Sequence, residues 1–131
     1  MGKKQTRILV VDDDDNTRQY LAKILSFRHW DVDTAGDGPG AVALAQGQTY
    51  DAMVLDYRMP GMDGAEVCRR IRQLQPAIRG VFITGFPTVD TVFPVVESGA
   101  DRVLAKPVDP KQLLGVLDEQ LAQSGSGTTA D

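Results

Sequence analysis

The fold this sequence predicts is α/β: a five-stranded parallel sheet with helices on both faces. Three observations carry that prediction. Short apolar runs, too short for independent helices, recur along the chain. Stretches of helical periodicity separate them, so strand and helix alternate five times, the pattern of a parallel sheet with right-handed crossovers. Several of the runs also stop abruptly at a charged or hydroxyl residue: Asp12, Asp56, Thr84 and Lys106. The C-terminal edge of such a sheet is where ligands bind.

The first strand is Arg7-Ile8-Leu9-Val10-Val11, a β-branched run that ends in four successive acids, Asp12 to Asp15. Asp14, Asp15 or Asn16 is placed to cap the next helix, whose positive end favours acids. That helix is predicted over residues 17–27, with Tyr20, Leu21, Ile24 and Leu25 on the inward face. Val32 to Ala35 forms the second strand, and Gly40 to Ala45 a helix of small residues that ends at Gly47. The third strand is Ala52 to Leu55, closed by Asp56, after which Pro60, Gly61, Asp63 and Gly64 are turn residues. Ala65 to Leu74 is the third helix, with Val67, Ile71 and Leu74 inward. Gly80 to Gly85 is the fourth strand, ending at Thr84.

A helix over residues 86–98 follows, and Pro94 inside it predicts a kinked, short or mobile segment. Gly99 stops it. Arg102 to Ala105 is the fifth strand, ending in Lys106-Pro107. Asp109-Pro110 caps the last helix, which carries Leu113, Leu114, Leu117 and Leu121. Residues 1–123 therefore read as one domain, and 124–131 (Ser-Gly-Ser-Gly-Thr-Thr-Ala-Asp) as a flexible tail or the start of a linker. The flavodoxin-like strand order 2-1-3-4-5 places the ends of strands one and three side by side.

Composition narrows the function classes. A length of 131 residues with 42% hydrophobic and 24% charged content suits one soluble domain. The net charge of −4 argues against direct nucleic-acid binding, and no apolar run approaches the roughly 20 residues of a membrane span. Cys68 is the single cysteine, so no internal disulfide forms, and a reducing, cytoplasmic setting is expected. Cys68 reads as packed beside its helix. His29 is the single histidine, which removes histidine-based metal clusters and triads. Met1 to Thr6 matches the loose N-myristoylation pattern and reads better as a basic lead-in to the first strand.

The strand ends carry chemistry together. An acid ending a strand is, by itself, commonly a turn residue, and Lys106 alone reads as a surface lysine. In this topology Asp12, Asp13 and Asp56 converge, with Thr84 and Lys106 on the same edge. Carboxylates that close repel unless a cation sits among them. Oxygen-only donors select a hard cation, Mg²⁺ first and Mn²⁺ as an alternative. A lysine, a hydroxyl, and the backbone N–H and open space of Gly85 suit phosphoryl transfer, with a carboxylate as nucleophile.

These residues also carry a family likeness. Ile8 to Asp14, Val54 to Gly64, Ile83-Thr84-Gly85, Gly99-Ala100-Asp101 and Lys106-Pro107 together resemble the receiver (phosphoacceptor) domain of two-component response regulators, over roughly residues 6–123. The resemblance implies that Asp56 accepts a phosphoryl group from the phosphohistidine of a histidine kinase or a histidine phosphotransfer protein. It implies Mg²⁺ held by Asp13, Asp56 and the backbone carbonyl of Arg58, with Asp12 acting through a metal-bound water. Thr84 and Lys106 would contact the phosphoryl oxygens, and the Lys106-Pro107 bond would be cis. Arg58, Gly85 and Phe86 would flank the mouth of the site and govern access to it. Phosphorylation would shift the face made by the fourth helix, fifth strand and fifth helix, and so control an output domain or effector protein. That face is also the family's option for homodimerisation. Where the family often has a switching Tyr or Phe, three residues before the lysine, this chain has Val103, so either Thr84 and backbone motion carry the switch or signalling differs.

Two rivals stand beside this reading. Asp13-Asp14-Asp15-Asn16-Thr17 fits the Asp-x-Asp-x-Thr pattern of haloacid-dehalogenase-like phosphatases, with Asp13 as nucleophile, but leaves Asp56 without a role. An interaction domain that works without phosphorylation would leave the whole acidic set without one. The expected class is thus a signalling domain that catalyses only its own phosphorylation and slow dephosphorylation.

Overall fold

The computed structural model describes residues 5–85 and 88–126. Five strands alternate with five helices. They are β1 (Arg7–Val11), α1 (Asp15–Leu25), β2 (Asp31–Ala35), α2 (Gly38–Gly47), β3 (Ala52–Asp56), α3 (Gly64–Leu74), β4 (Arg79–Thr84), α4 (Val89–Glu97), β5 (Arg102–Ala105) and α5 (Pro110–Ser126). The strands form one sheet in the order β2-β1-β3-β4-β5, with every neighbouring pair parallel. The predicted order and strand direction are both present.

Side-chain alternation divides the interior into two cores. Leu9, Val11, Met53, Leu55 and Phe82 pack with Val67, Ile71 and Val95 on the face covered by α2, α3 and α4. Ile8, Val10, Ala52, Val54 and Ile83 pack with Leu21, Leu25, Leu113 and Leu117 on the face covered by α1 and α5. Every residue of β3 is buried, as a central strand covered on both faces requires. Each fully buried Leu, Val or Ile contributes roughly 1.5–3 kcal/mol, so the sheet is a rigid platform.

Register then fixes where the strands end. Val11 pairs with Leu55, so Asp12 and Asp56 leave the sheet side by side. Asp56 pairs with Ile83, and Thr84 pairs with Ala105. All four functional strand ends therefore lie along one edge.

Aspartates start three of the helices. Asp14 accepts from the Thr17 N–H at 2.8 Å, Asp37 from the Gly40 N–H at 2.7 Å and Asp63 from the Glu66 N–H at 2.9 Å. Asp14 is thus the cap among the three candidates, and α1 begins at Asp15, two residues before the expected start. Asp37→Ala is expected to cost about 1 kcal/mol. Thermal unfolding would show it as a fall of roughly 4 °C.

Several expectations need correction. Tyr20 and Leu74 are exposed, at 49% and 45%. Each lies at the edge of its helix's apolar stripe, where the sheet no longer covers it. The first helix ends in a 3-10 turn, Ser26–Arg28, before His29 takes a left-handed conformation at φ 59°. The second helix is longer than expected, Gly38–Gly47, because Asp37 caps it from further upstream. The fourth helix begins at Val89, with the Thr88 carbonyl accepting from the Val92 N–H at 2.8 Å, and holds Pro94 within nine residues. It is short, one of the alternatives the proline suggested. The last helix continues to Ser126, past the expected end at 123. The rest of the expected tail, residues 127–131, lies outside the described residues, as does the lead-in at 1–4.

Candidate functional site

At the C-terminal edge of the sheet, carboxylate oxygens of Asp12, Asp13 and Asp56 all lie within 4.8 Å of one another. Asp12 and Asp56 are nearly fully buried, and Asp13 is exposed. Lys106 reaches in from the end of β5. Its Nζ stands 3.3 Å from Asp56 Oδ1 and 3.7 Å from Asp12 Oδ2. The lysine's backbone is tied to the end of β4, where its N–H donates to the Thr84 carbonyl at 2.8 Å, and its bond to Pro107 is cis, as expected. Thr84 is buried at the end of β4, and Gly85 beyond it is exposed, with open space around its α-carbon.

Asp12 is held from three sides. Its N–H donates to the Ala35 carbonyl at 3.1 Å, its Oδ1 accepts from the Asp14 N–H at 2.9 Å, and its carbonyl accepts from Arg18 Nη1 at 2.8 Å. One carboxylate oxygen is thereby anchored and the other is turned toward Lys106.

The electrostatics are unbalanced. Burial first, and then the Asp12 charge, push the Asp56 carboxyl above the ordinary carboxylate range, with Lys106 pulling it back. Burial likewise raises Asp12 most, against the Asp14 N–H and Lys106. One ammonium faces three carboxylates. A divalent cation with oxygen ligands would supply the missing charge, and the donor set fits Mg²⁺ or Mn²⁺. Among the described residues this is the one cluster of three or more acidic, His or Cys side chains placed to hold a metal.

A pH dependence follows. For a carboxyl raised in the folded state, the folded chain binds its proton more tightly than the unfolded chain. Stability from Asp12 is therefore lost as pH rises from the ordinary carboxylate value through the raised one. Without divalent cations, Asp12→Asn is expected to be more stable than the unaltered chain at about pH 8, and the difference should vanish below about pH 4. Urea midpoints at both pH values read this directly.

Arg58, two residues beyond Asp56, is exposed and lines a depression of about 460 Å³ with Tyr57, Met59, Pro60 and Asp63. Val103 is half-buried against the core under α2, α3 and α4. Phe86 lies outside the described residues. Cys68 is fully buried, with its thiol 3.5 Å from the Ser98 carbonyl, and burial pushes its pKa up, as suits a packing residue.

Two residues at the site were not legible as functional. Gly64 read as a turn residue. A β-carbon there would press into the Asp56 carbonyl oxygen, with the Phe82 ring at 2.8 Å and Tyr57 Cα at 2.9 Å. The chain after the acceptor thus folds back directly under it, and the Gly64 N–H donates to the Tyr57 carbonyl at 2.9 Å. Arg18 lies off the apolar stripe of its helix, and nothing in the helical period marks its reach to Asp12.

The family model of the response regulator receiver domain matches residues 8–118. The chain belongs to that family. It is 37% identical over 128 residues to the response regulator MprA of Mycolicibacterium vanbaalenii, covering 95% of this chain and 55% of that protein. The chain spans about half the length of the curated relatives it matches. A CheY-like receiver domain protein of Methanospirillum hungatei superposes with a TM-score of 0.90 at 27% identity, over 95% of this chain and 99% of that one. A response regulator of Burkholderia pseudomallei, with a phosphorylated aspartic acid, a calcium ion and citrate, superposes with a TM-score of 0.82 at 26% identity, over 95% of this chain and 74% of that one. As a receiver domain of a two-component response regulator, the chain is a signalling domain and not a conventional enzyme. No described helix of it is long and apolar enough to cross a membrane.

Proposed function

We propose that this receiver domain accepts a phosphoryl group on Asp56 from the phosphohistidine of a histidine kinase or histidine phosphotransfer protein, in a reaction that needs Mg²⁺. The observation that carries the proposal is the convergence of three carboxylates with Lys106, whose Nζ is 3.3 Å from Asp56 Oδ1. Asp13, Asp56 and the backbone carbonyl of Arg58 would hold the cation, with Asp12 acting through a bound water. The cation would neutralise charge on the phosphoryl oxygens during transfer.

The chain's own residues do the rest. An Asp56 oxygen attacks phosphorus, the bond from phosphorus to the donor nitrogen breaks, and the electron pair leaves with the imidazole. Lys106 and the Thr84 hydroxyl contact the phosphoryl oxygens, where charge must be balanced. Hydrolysis later returns the carboxylate and inorganic phosphate. Arg58 and Gly85 border the path of that water and set the lifetime of the acyl phosphate.

The new group adds roughly −1.5 to −2 charges at the end of β3. Thr84 and Lys106 are drawn to it, and the change passes to the face formed by α4, β5 and α5. Val103 supplies no aromatic side chain to turn inward, so Thr84 and the backbone after β4 carry the signal. The recipient is an output domain or effector protein, and a homodimer through the same face is one form of output. We place the domain in the cytoplasm, where kinases of this class present their phosphohistidine.

Incubation with acetyl phosphate and Mg²⁺ tests the chemistry. Intact mass should show one added phosphoryl group, and chelating the cation with EDTA should prevent its appearance. The phosphatase alternative, with Asp13 as nucleophile, predicts sustained turnover of a small phosphate ester that survives Asp56→Asn. Such turnover would replace the proposal.

A further inference from the structure

We infer that Arg18 is a positioning residue of the acidic site: it holds the turn after β1 so that Asp12 and Asp13 present their carboxylates to the cation. The inference rests on the metal-dependent reading above. Arg18 sits on α1, one turn beyond the acids, yet its guanidinium does not turn to solvent. Nη1 donates to the Asp12 carbonyl at 2.8 Å, and Nη2 is paired with Asp15. The side chain is only 21% exposed.

That carbonyl is a telling partner. It belongs to the peptide that joins Asp12 to Asp13, so its direction sets the direction of both side chains. The neighbouring contacts of Asp12, to Ala35 and Asp14, come from backbone N–H and carbonyl groups that any sequence would supply. The Arg18 contact comes instead from a side chain, and it reaches this peptide's oxygen. A planar guanidinium spans the carbonyl and Asp15 at once, which a lysine ammonium cannot do.

The opposite side of the guanidinium is also prepared. Gly36, in the turn after β2, lies so close that a β-carbon there would stand 3.0 Å from Arg18 Nη1 and 3.5 Å from its Cζ. The glycine leaves room for the arginine in its working place. The three atoms nearest such a β-carbon all belong to Arg18, so a larger residue there would press first on the guanidinium.

Groups that orient metal ligands typically change metal affinity 10–100-fold when removed. Mg²⁺ affinity is read by calorimetry on the full chain, well below its unfolding temperature, beside urea midpoints for stability. Arg18→Lys is expected to weaken Mg²⁺ binding about tenfold. Gly36→Val, whose β-carbon would meet the guanidinium first, is expected to weaken it in the same direction. Asp15→Asn, which removes the charge of the exposed pair but keeps an acceptor for Nη2, should leave affinity within about twofold. A merely structural Arg18 would lower the urea midpoint and leave the affinity of the folded protein unchanged, and that result overturns the inference. Weakened binding in Gly36→Val together with unchanged affinity in Arg18→Lys would also overturn it, since the glycine would then act through the Ala35 carbonyl on the Asp12 N–H and not through Arg18. Absence of Mg²⁺ binding by the unaltered chain would remove the metal-site reading itself, and the inference with it.

Discussion

Asp56→Asn is expected to abolish phosphoryl incorporation while making the cation-free protein more stable. The two effects share one cause. Asp56 has only 7% of its surface exposed, beside a second buried carboxylate and one ammonium. Its charge is costly in the resting fold, which is why its carboxyl is raised by burial and by Asp12. An amide of the same shape removes that cost. With Lys106 then left to Asp12, a gain of about 1 kcal/mol is expected. It should appear as a rise of roughly 4 °C in Tm without divalent cations. The amide is not a nucleophile, so no phosphoryl group is gained from any donor. Mg²⁺ should also stabilise the variant less. At a hundred times the dissociation constant, a bound ion adds about 2.7 kcal/mol to the unaltered chain. Loss of a ligand removes most of that. Scanning calorimetry with and without Mg²⁺ reads both signs, and a variant less stable than the parent in EDTA would contradict the account.

Gly64→Ala is expected to cost more stability than an added methyl group at the other described glycines of the turns. The added carbon meets the Asp56 carbonyl oxygen, Tyr57 Cα and the Phe82 ring together. Two of the three are backbone, and Phe82 is fully buried, so none can swing aside. The relief must come from moving the start of α3 away from the end of β3. Overpacking of this kind costs about 3 kcal/mol. Urea denaturation would show it, and the same displacement should lower Mg²⁺ affinity because the acceptor peptide moves. Gly85→Ala serves as the contrast, since a β-carbon there meets nothing within 4 Å. A Gly64→Ala protein as stable as Gly85→Ala would show that the loop yields freely.

The strands were legible because burial on both faces leaves an unmistakable sign. Ala52 to Leu55 is apolar throughout, and all of it is buried. The site was legible because each apolar run ends on a chemical residue, and one edge of the sheet collects those ends. Helix starts were less so. Four adjacent acids offer several caps, and only three-dimensional placement shows that Asp14 bonds to Thr17. Tyr20 fell on the apolar stripe by period, but the stripe is wider than the surface that covers it. Gly64 and Arg18 were not legible as site residues, since a close backbone approach and a long side chain reaching back six positions leave no periodic trace. Lys106 was readable as a strand-end cation, while its 3.3 Å approach to Asp56 is a matter of three-dimensional placement.

The central claim is that the cluster acts through Asp56 and not merely near it. Its most direct test is a mass measurement after exposure to acetyl phosphate and Mg²⁺, with fragmentation to locate the modification. The account predicts a single phosphoryl group, mapped to the segment from Asp51 to Gly64 and absent in Asp56→Asn. A phosphoryl group found on Asp13, or one that persists in Asp56→Asn, would contradict it.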